Sequence, residues 1–128
     1  QENLAFVDAA KNGCAIVHSD SAEGIQRLNQ EAAKAMAHGT RAGLTITPEH
    51  AIRWLTSNPA RALGIAAKVG TLEAGKQADV VVWNGSPFSV YAKADQVFID
   101  GALRYDRADR ATWHQADFML GTNNEVTP

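Results

Sequence analysis

Cys14-Ala15-Ile16-Val17-His18-Ser19-Asp20-Ser21 is the stretch on which the fold turns. Its four leading apolar residues form an unbroken run, which reads as a short β-strand buried on both faces. Polar residues take over from His18 to Ser21, where they can cap a following helix. That helix is legible in Ile25, Leu28, Ala32, Ala35 and Met36, which recur at three- and four-residue spacing and give one apolar face. Gly39 fits its C-terminal stop. A strand, a loop and a helix in this order make one unit of an α/β layer or barrel.

Working outward, residues 2–12 have helical composition and stop at Asn12-Gly13, a plausible helix end. Downstream, Thr47-Pro48-Glu49 opens a second helix: Thr caps, Pro suits the first turn and Glu favours the positive helix end. Ile52 and Leu55 are expected to face the core, with Trp54 beside them. Asn58-Pro59 stops this helix and starts another short one, which Gly64 closes. From Val69 the period changes. Gly70 and Gly75 punctuate loops, Asp79–Trp83 reads as a strand, and residues 96–105 hold two short strands around Asp100-Gly101, a strong hairpin signal. A composition boundary near residue 68 separates a helical half from a β-rich half. From Ala108 the periodicity weakens, and the last eight residues are expected to be loose.

The chain has 128 residues, enough to bury a core, and 45% hydrophobic with 20% charged residues reads as a soluble globular protein. A net charge of −2 without a basic cluster argues against nucleic acid or an anionic membrane as the main partner. Cys14 is the single cysteine, so no internal disulfide forms, and its apolar surroundings predict a small buried residue. No apolar stretch approaches the roughly 20 residues of a membrane span. The chain begins with Gln1 rather than methionine, and the expectation is a piece of something longer.

Asp20 is the leading candidate for chemistry. It lies just past the C-terminal end of the expected strand, the edge where parallel α/β folds place catalytic groups. An Asp before a helix can equally be a cap. His18, two residues earlier, points to the same side if the strand is regular. His38, His50 and His114 are not spaced as His-x-His or His-x-x-x-His, so no compact zinc motif exists, and solvated or capping roles are expected for them. Phosphate-binding loops, a Gly-x-Ser-x-Gly elbow and Cys-x-x-Cys are absent. Ser19 and Ser21 read as loop hydroxyls, because a triad cannot be assembled from immediate neighbours along one strand. Trp54, Trp83 and Trp113 read as core or interface aromatics.

Four segments, in order, resemble the end of a metal-dependent amidohydrolase of the imidazolonepropionase-like and dipeptidase-like branch. Val17-His18-Ser19-Asp20 looks like the loop after the last barrel strand. Thr56-Ser57-Asn58-Pro59-Ala60-Arg61-Ala62-Leu63-Gly64 looks like the family's Asn-Pro-Ala segment. Gly70-Thr71-Leu72-Glu73-Ala74-Gly75-Lys76-Gln77-Ala78-Asp79-Val80-Val81-Val82 looks like its Gly-x-Leu-x-x-Gly-Lys-x-Ala-Asp signature, and Val97-Phe98-Ile99-Asp100-Gly101 is similar to its terminal hairpin. The resemblance covers about residues 10 to 106.

It implies an α/β plus β fold, incomplete as it stands. Residues 1–68 would be the end of a (β/α)₈ barrel with its last strand–helix unit, residues 69–107 strands of a small composite β-sandwich, and residues 108–128 a tail. In the family the strand-end Asp, matched by Asp20, binds the metal and shuttles the proton as a metal-activated water attacks an amide carbonyl. His18 matches a position near that site, with no step assigned. The implied cofactor is a divalent metal, zinc by preference, in the complete enzyme. The family's His-x-His, bridging lysine and middle-strand histidines are absent here, so no turnover is expected from the isolated chain. Implied partners are a missing N-terminal barrel portion or another copy, and a small-molecule or peptide substrate with an amide or cyclic amide. The implied protein is soluble, cytoplasmic or periplasmic. From a different class comes a non-catalytic assembly module that pairs through its β-strands, with Asp20 only capping a helix.

One strand–helix unit cannot bury both faces of its strand. The isolated chain is therefore predicted to oligomerise, swap segments or aggregate. Size-exclusion chromatography with light scattering and a thermal melt checks this, and a monodisperse, cooperatively melting monomer contradicts it.

Overall fold

A run of helices precedes a three-stranded sheet in the computed structural model, which describes residues 2–113. Helix α1 spans Glu2–Ala9. It ends where the sequence predicts, because Asn12 takes a positive φ of 66° and an added Cβ at Gly13 would come within 1.8 Å of the Val7 carbonyl oxygen. A 3₁₀ turn at Gly24–Arg27 leads into α2, Leu28–Arg41. Gly39 does not stop α2. It is buried inside the helix, and a Cβ there would lie 2.4 Å from Ile46 Cδ1 and 2.7 Å from Ala5 Cβ. The glycine lets α1 and the 44–47 segment press against α2, and the chain reverses four residues later at Gly43, φ 89°.

Helix α3, Pro48–Ala51, is capped by the Thr47 hydroxyl, which accepts from the His50 amide at 3.2 Å. The backbone amide at Glu49 and then the Thr47 side chain hold the Glu49 carboxyl below its ordinary range. A 3₁₀ turn at Ile52–Trp54 joins α3 to α4, Ser57–Ala62. Gly64, φ 72°, closes that helix as expected. The core differs from the expected one. Trp54, 0% exposed, is its largest fully buried side chain, ringed by Ala15, Ala32, Ala35 and Ala51, whereas Ile52 and Leu55 are only half-buried. Small residues around one large indole fill the space between α2 and α3 without overpacking. Phe88, from the loop after the first strand, packs on the same cluster, and Asn29 Nδ2 donates to the Pro87 carbonyl at 2.6 Å to hold that loop on α2.

The sheet has the order β1–β2–β3: Val80–Trp83, Ala94–Ile99 and Ala102–Asp106, all antiparallel. Val81 faces Val97 across the first pair, and Val97 faces Tyr105 across the second. Asp100 and Gly101 both take positive φ, 52° and 77°, as a two-residue primed turn requires. The turn is docked as well as formed: Asp79 Oδ1 accepts the Asp100 amide at 2.8 Å and the Ala78 carbonyl accepts that of Gly101 at 3.0 Å. At the far end of β3, hydrogen bonds first from Gln96 and then from the Ala108 amide hold the Asp106 carboxyl below its ordinary range. Trp83 is half-buried, and Trp113 is exposed, with its Nε1 donating to the Asp106 carbonyl.

The largest departure is at Cys14–Val17, which pairs with no strand among the described residues. Ala15 is buried, Ile16 and Val17 are half-buried, and Cys14 is exposed rather than buried. A strand buried on both faces needs a neighbour on each edge, and β1–β3 do not supply one. His114 and the last eight residues lie outside the described residues. No described helix is long and apolar enough to cross a membrane.

Gly39→Ala is predicted to destabilise the protein by about 1–3 kcal/mol, because the new methyl overpacks the α1–α2 contact. Urea denaturation checks it, and an unchanged midpoint contradicts it.

Candidate functional site

The loop from His18 to Gly24 is built by its serines. The Ser19 hydroxyl donates to the Ser21 carbonyl at 3.1 Å and accepts from the Ser21 amide at 3.1 Å. The Ser21 hydroxyl then accepts from the amides of Glu23 and Gly24, both at 3.2 Å. A Cβ on Gly24 would reach 2.4 Å from Ser19 Oγ, so the loop folds closely on itself. The hydroxyl that caps the turn ahead of Gly24–Arg27 is therefore Ser21 and not Asp20, and neither that 3₁₀ helix nor α2 takes a side-chain cap at its own N-terminal position. Sequence reasoning assigned both serines to loop hydroxyls and left Asp20 open between cap and catalyst. The geometry gives the cap to its neighbour.

Asp20 consequently projects outward, with its side chain 98% exposed. His18 is 73% exposed, and its Nδ1 lies 3.5 Å from Asp20 Oδ1, an ion pair when the imidazole is protonated. The two residues singled out by spacing are thus brought together. A carboxylate oxygen and an imidazole nitrogen are suitable donors for zinc, yet a closed zinc shell takes about four. No group of three or more His, Cys, Asp or Glu that could hold a metal occurs among the described residues. The donors fit a metal in kind and fall short in number, so a complete shell would need ligands from outside the described residues.

His50 is elsewhere and otherwise engaged. Its Nε2 meets the Asp8 carboxylate, its Nδ1 faces the Arg53 guanidinium, and its ring stands edge-on to Trp54 at 6.1 Å. It joins α1 to α3 rather than standing in solvent. An apolar cavity of about 520 Å³ lies between α4 and residues 63–79, with Ile52, Leu55, Leu63 and Leu72 in its walls, and neither His18 nor Asp20 lines it.

Asn58, which the sequence shows as a helix stop and as part of the Asn-Pro-Ala segment, proves to anchor the site. Asn58, 4% exposed, donates from Nδ2 to the Ala15 carbonyl at 2.8 Å, and its Oδ1 accepts from Arg61 at 2.6 Å. The Val17 amide donates to the Trp54 carbonyl at 3.1 Å. These bonds tie the base of the Asp20 loop to the turn entering α4. The signal available in advance was an amide side chain three residues before an arginine on a short helix.

Comparison with known proteins places the chain. The family model described as the amidohydrolase family matches residues 5–114. An amidohydrolase of Hapsidospora irregularis is 38% identical over 82 residues, 63% of this chain and 8% of its own. The imidazolonepropionase of Shewanella oneidensis is 59% identical over 39 residues, 30% of this chain and 10% of its own. Among solved structures, an amidohydrolase from Thermotoga maritima matches with a TM-score of 0.57 and 36% identity, over 65% of this chain and 20% of that one. The chain therefore spans a fifth or less of the length of these proteins.

The loop geometry separates two substitutions. Ser21→Ala is predicted to cost about 1 kcal/mol through loss of the turn's hydrogen bonds from the Glu23 and Gly24 amides, and Asp20→Ala to stay within about 0.5 kcal/mol of the parent. Thermal unfolding of both variants checks this, and a larger loss for Asp20→Ala would restore the cap to that residue.

Proposed function

The chain belongs to the amidohydrolase family, and from that premise we propose that it forms the C-terminal part of a hydrolase of carbon–nitrogen bonds in which Asp20 binds a divalent metal and moves the reaction's proton. The observation that carries this reading is the outward, exposed Asp20 carboxylate, 3.5 Å from His18 on a loop whose turn is capped by Ser21 rather than by Asp20. Within this reading residues 1–68 end the (β/α)₈ barrel, with Cys14–Val17 as its last strand, and residues 69–107 contribute to a composite β-sandwich.

A divalent ion, zinc by preference, supplies Lewis acidity toward the amide carbonyl and acidity to water when bound. Asp20 would offer an oxygen to it. As a carboxylate at the reacting centre, Asp20 also accepts a proton from the attacking water and returns it to the departing nitrogen, so the cleaved amide leaves as an amine. His18 is close enough to orient the Asp20 carboxylate. The substrate class that fits is a small amide, a peptide or a cyclic amide.

Several features support association with further chain. The edge of β1 opposite β2 is unpaired among the described residues, and Leu63 and Leu72 are largely exposed. The N-terminal part of the barrel, or another copy, would cover such surfaces, and the isolated chain would be inactive.

In the full-length protein, Asp20→Asn is predicted to lower hydrolysis of N-acyl amino acids, dipeptides or cyclic amides by at least about 100-fold, with a melting temperature close to the parent's. Initial rates across that panel, alongside thermal melts, provide the check. Undiminished turnover would leave the assembly-module reading in its place.

A further inference from the structure

We propose that Asn58 is a positioning residue for Asp20, and that Arg61 fixes the direction in which the Asn58 amide faces. This rests on the reading of Asp20 as a metal-binding carboxylate.

The segment that leads to Asp20 has no strand beside it among the described residues, so its direction is set where it is attached. Two attachments exist on the helical side, the Val17 amide to the Trp54 carbonyl and the Ala15 carbonyl to Asn58 Nδ2. Ala15 and Val17 are alternate residues, so both bonds lie along one edge of the segment. The first is made by backbone alone. The second depends on a side chain, and Asn58 is the buried polar residue of the described chain, 4% exposed.

A buried amide must satisfy both its ends. Asn58 could present either its oxygen or its NH₂ to Ala15, but only the NH₂ bonds a carbonyl. Arg61 settles the choice: a guanidinium has donors and no acceptor, so the Asn58 oxygen must face it, at 2.6 Å, and the NH₂ is turned to Ala15. From Val17 onward the path to Asp20 is short and closed by the Ser19 and Ser21 hydrogen bonds, so a shift at the root moves the carboxylate. Asp20 itself is almost fully exposed, and the side chain that pairs with it, His18, is largely exposed too.

The test uses the full-length protein, loaded with Zn²⁺ or with Co²⁺ as a visible probe. Asn58→Asp keeps the size and the oxygen toward Arg61 but loses the donor to Ala15. Arg61→Ala releases the amide, and Arg61→Lys retains a donor. Asn58→Asp and Arg61→Ala are each expected to weaken Zn²⁺ binding by about 10-fold or more and to change the Co²⁺ absorption spectrum, with Arg61→Lys within about twofold of the parent. Should Asn58→Asp fail to fold, Arg61→Ala decides, because Arg61 is exposed. A parent-like Co²⁺ spectrum and Zn²⁺ affinity in Arg61→Ala, with or without a lower melting temperature, overturns the proposal. Asp20→Asn run in parallel keeps the two readings apart. If it retains the parent's metal affinity and spectrum, or if the parent takes up neither ion, the reading of Asp20 falls and this one with it. If only Asp20→Asn loses the metal, the positioning role alone is overturned.

Discussion

One edge of Cys14–Val17 hangs from the turn that Trp54 and Asn58 build, and the candidate functional atoms lie just beyond that attachment. The arrangement depends on Trp54 being buried. Its indole fills the space that alanines on α2 and α3 leave open, and its carbonyl receives the Val17 amide. Packing and hydrogen bonding thus meet at one residue. Apolar burial supplies the free energy, and the backbone bond converts it into a direction for the loop that follows. A strand inside a sheet takes its direction from ladders on its edges; here a helical turn holds one edge of the segment.

The segments that carry the family resemblance turn out to hold each other. Gly70 lies so close to α4 that a Cβ would stand 2.5 Å from Ala60 Cβ, so the glycine of one block is fitted to the alanine of the other. The Gln77 amide bonds the Lys68 carbonyl at 2.8 Å, and Ala78 and Asp79 receive the turn of the hairpin. Lys76 reaches the Thr71 hydroxyl and the Glu73 carboxylate within its own loop. The hydrogen bond from Thr71, followed by the charge of Lys76, holds the Glu73 carboxyl below its ordinary range. Lys76 is occupied within its loop, and Asp79 joins that segment to the hairpin turn. The most recognisable residues of this chain make the scaffold, whereas the two candidates for chemistry, His18 and Asp20, are largely exposed.

What the sequence revealed follows from the range of the forces involved. Thr47-Pro48, Gly64 and Asp100-Gly101 were legible because a cap or a primed turn is decided by a few consecutive dihedral angles. The proximity of His18 and Asp20 was legible for the same reason. Contacts between distant segments were not. Gly39 looks like a helix end until Ala5 and Ile46 are seen against it, and Trp54 looks secondary to Ile52 and Leu55 until the alanines around it are placed. Cys14 lies in an apolar run, but burial needs a neighbour, and none of the described strands passes beside it. Ser21 rather than Asp20 became the cap because the Ser19 bonds had already fixed which hydroxyl faces the Glu23 amide. Asn58 reads as punctuation beside Pro59, and its bond to Ala15 spans 43 residues that no local rule connects.

That span has a thermodynamic consequence. The hairpin turn closes a loop of a few residues between strands that follow one another, whereas the Asn58–Ala15 bond closes one of 43. By chain statistics the longer closure costs on the order of 2 kcal/mol more entropy. Opening it together with the Val17–Trp54 bond and the Trp54 packing returns that freedom to the chain, while opening the hairpin returns little. The sheet and the Asp20 loop therefore sit on different rungs of the free-energy ladder of local opening, with the sheet closed cheaply and the loop held against a larger entropic pull.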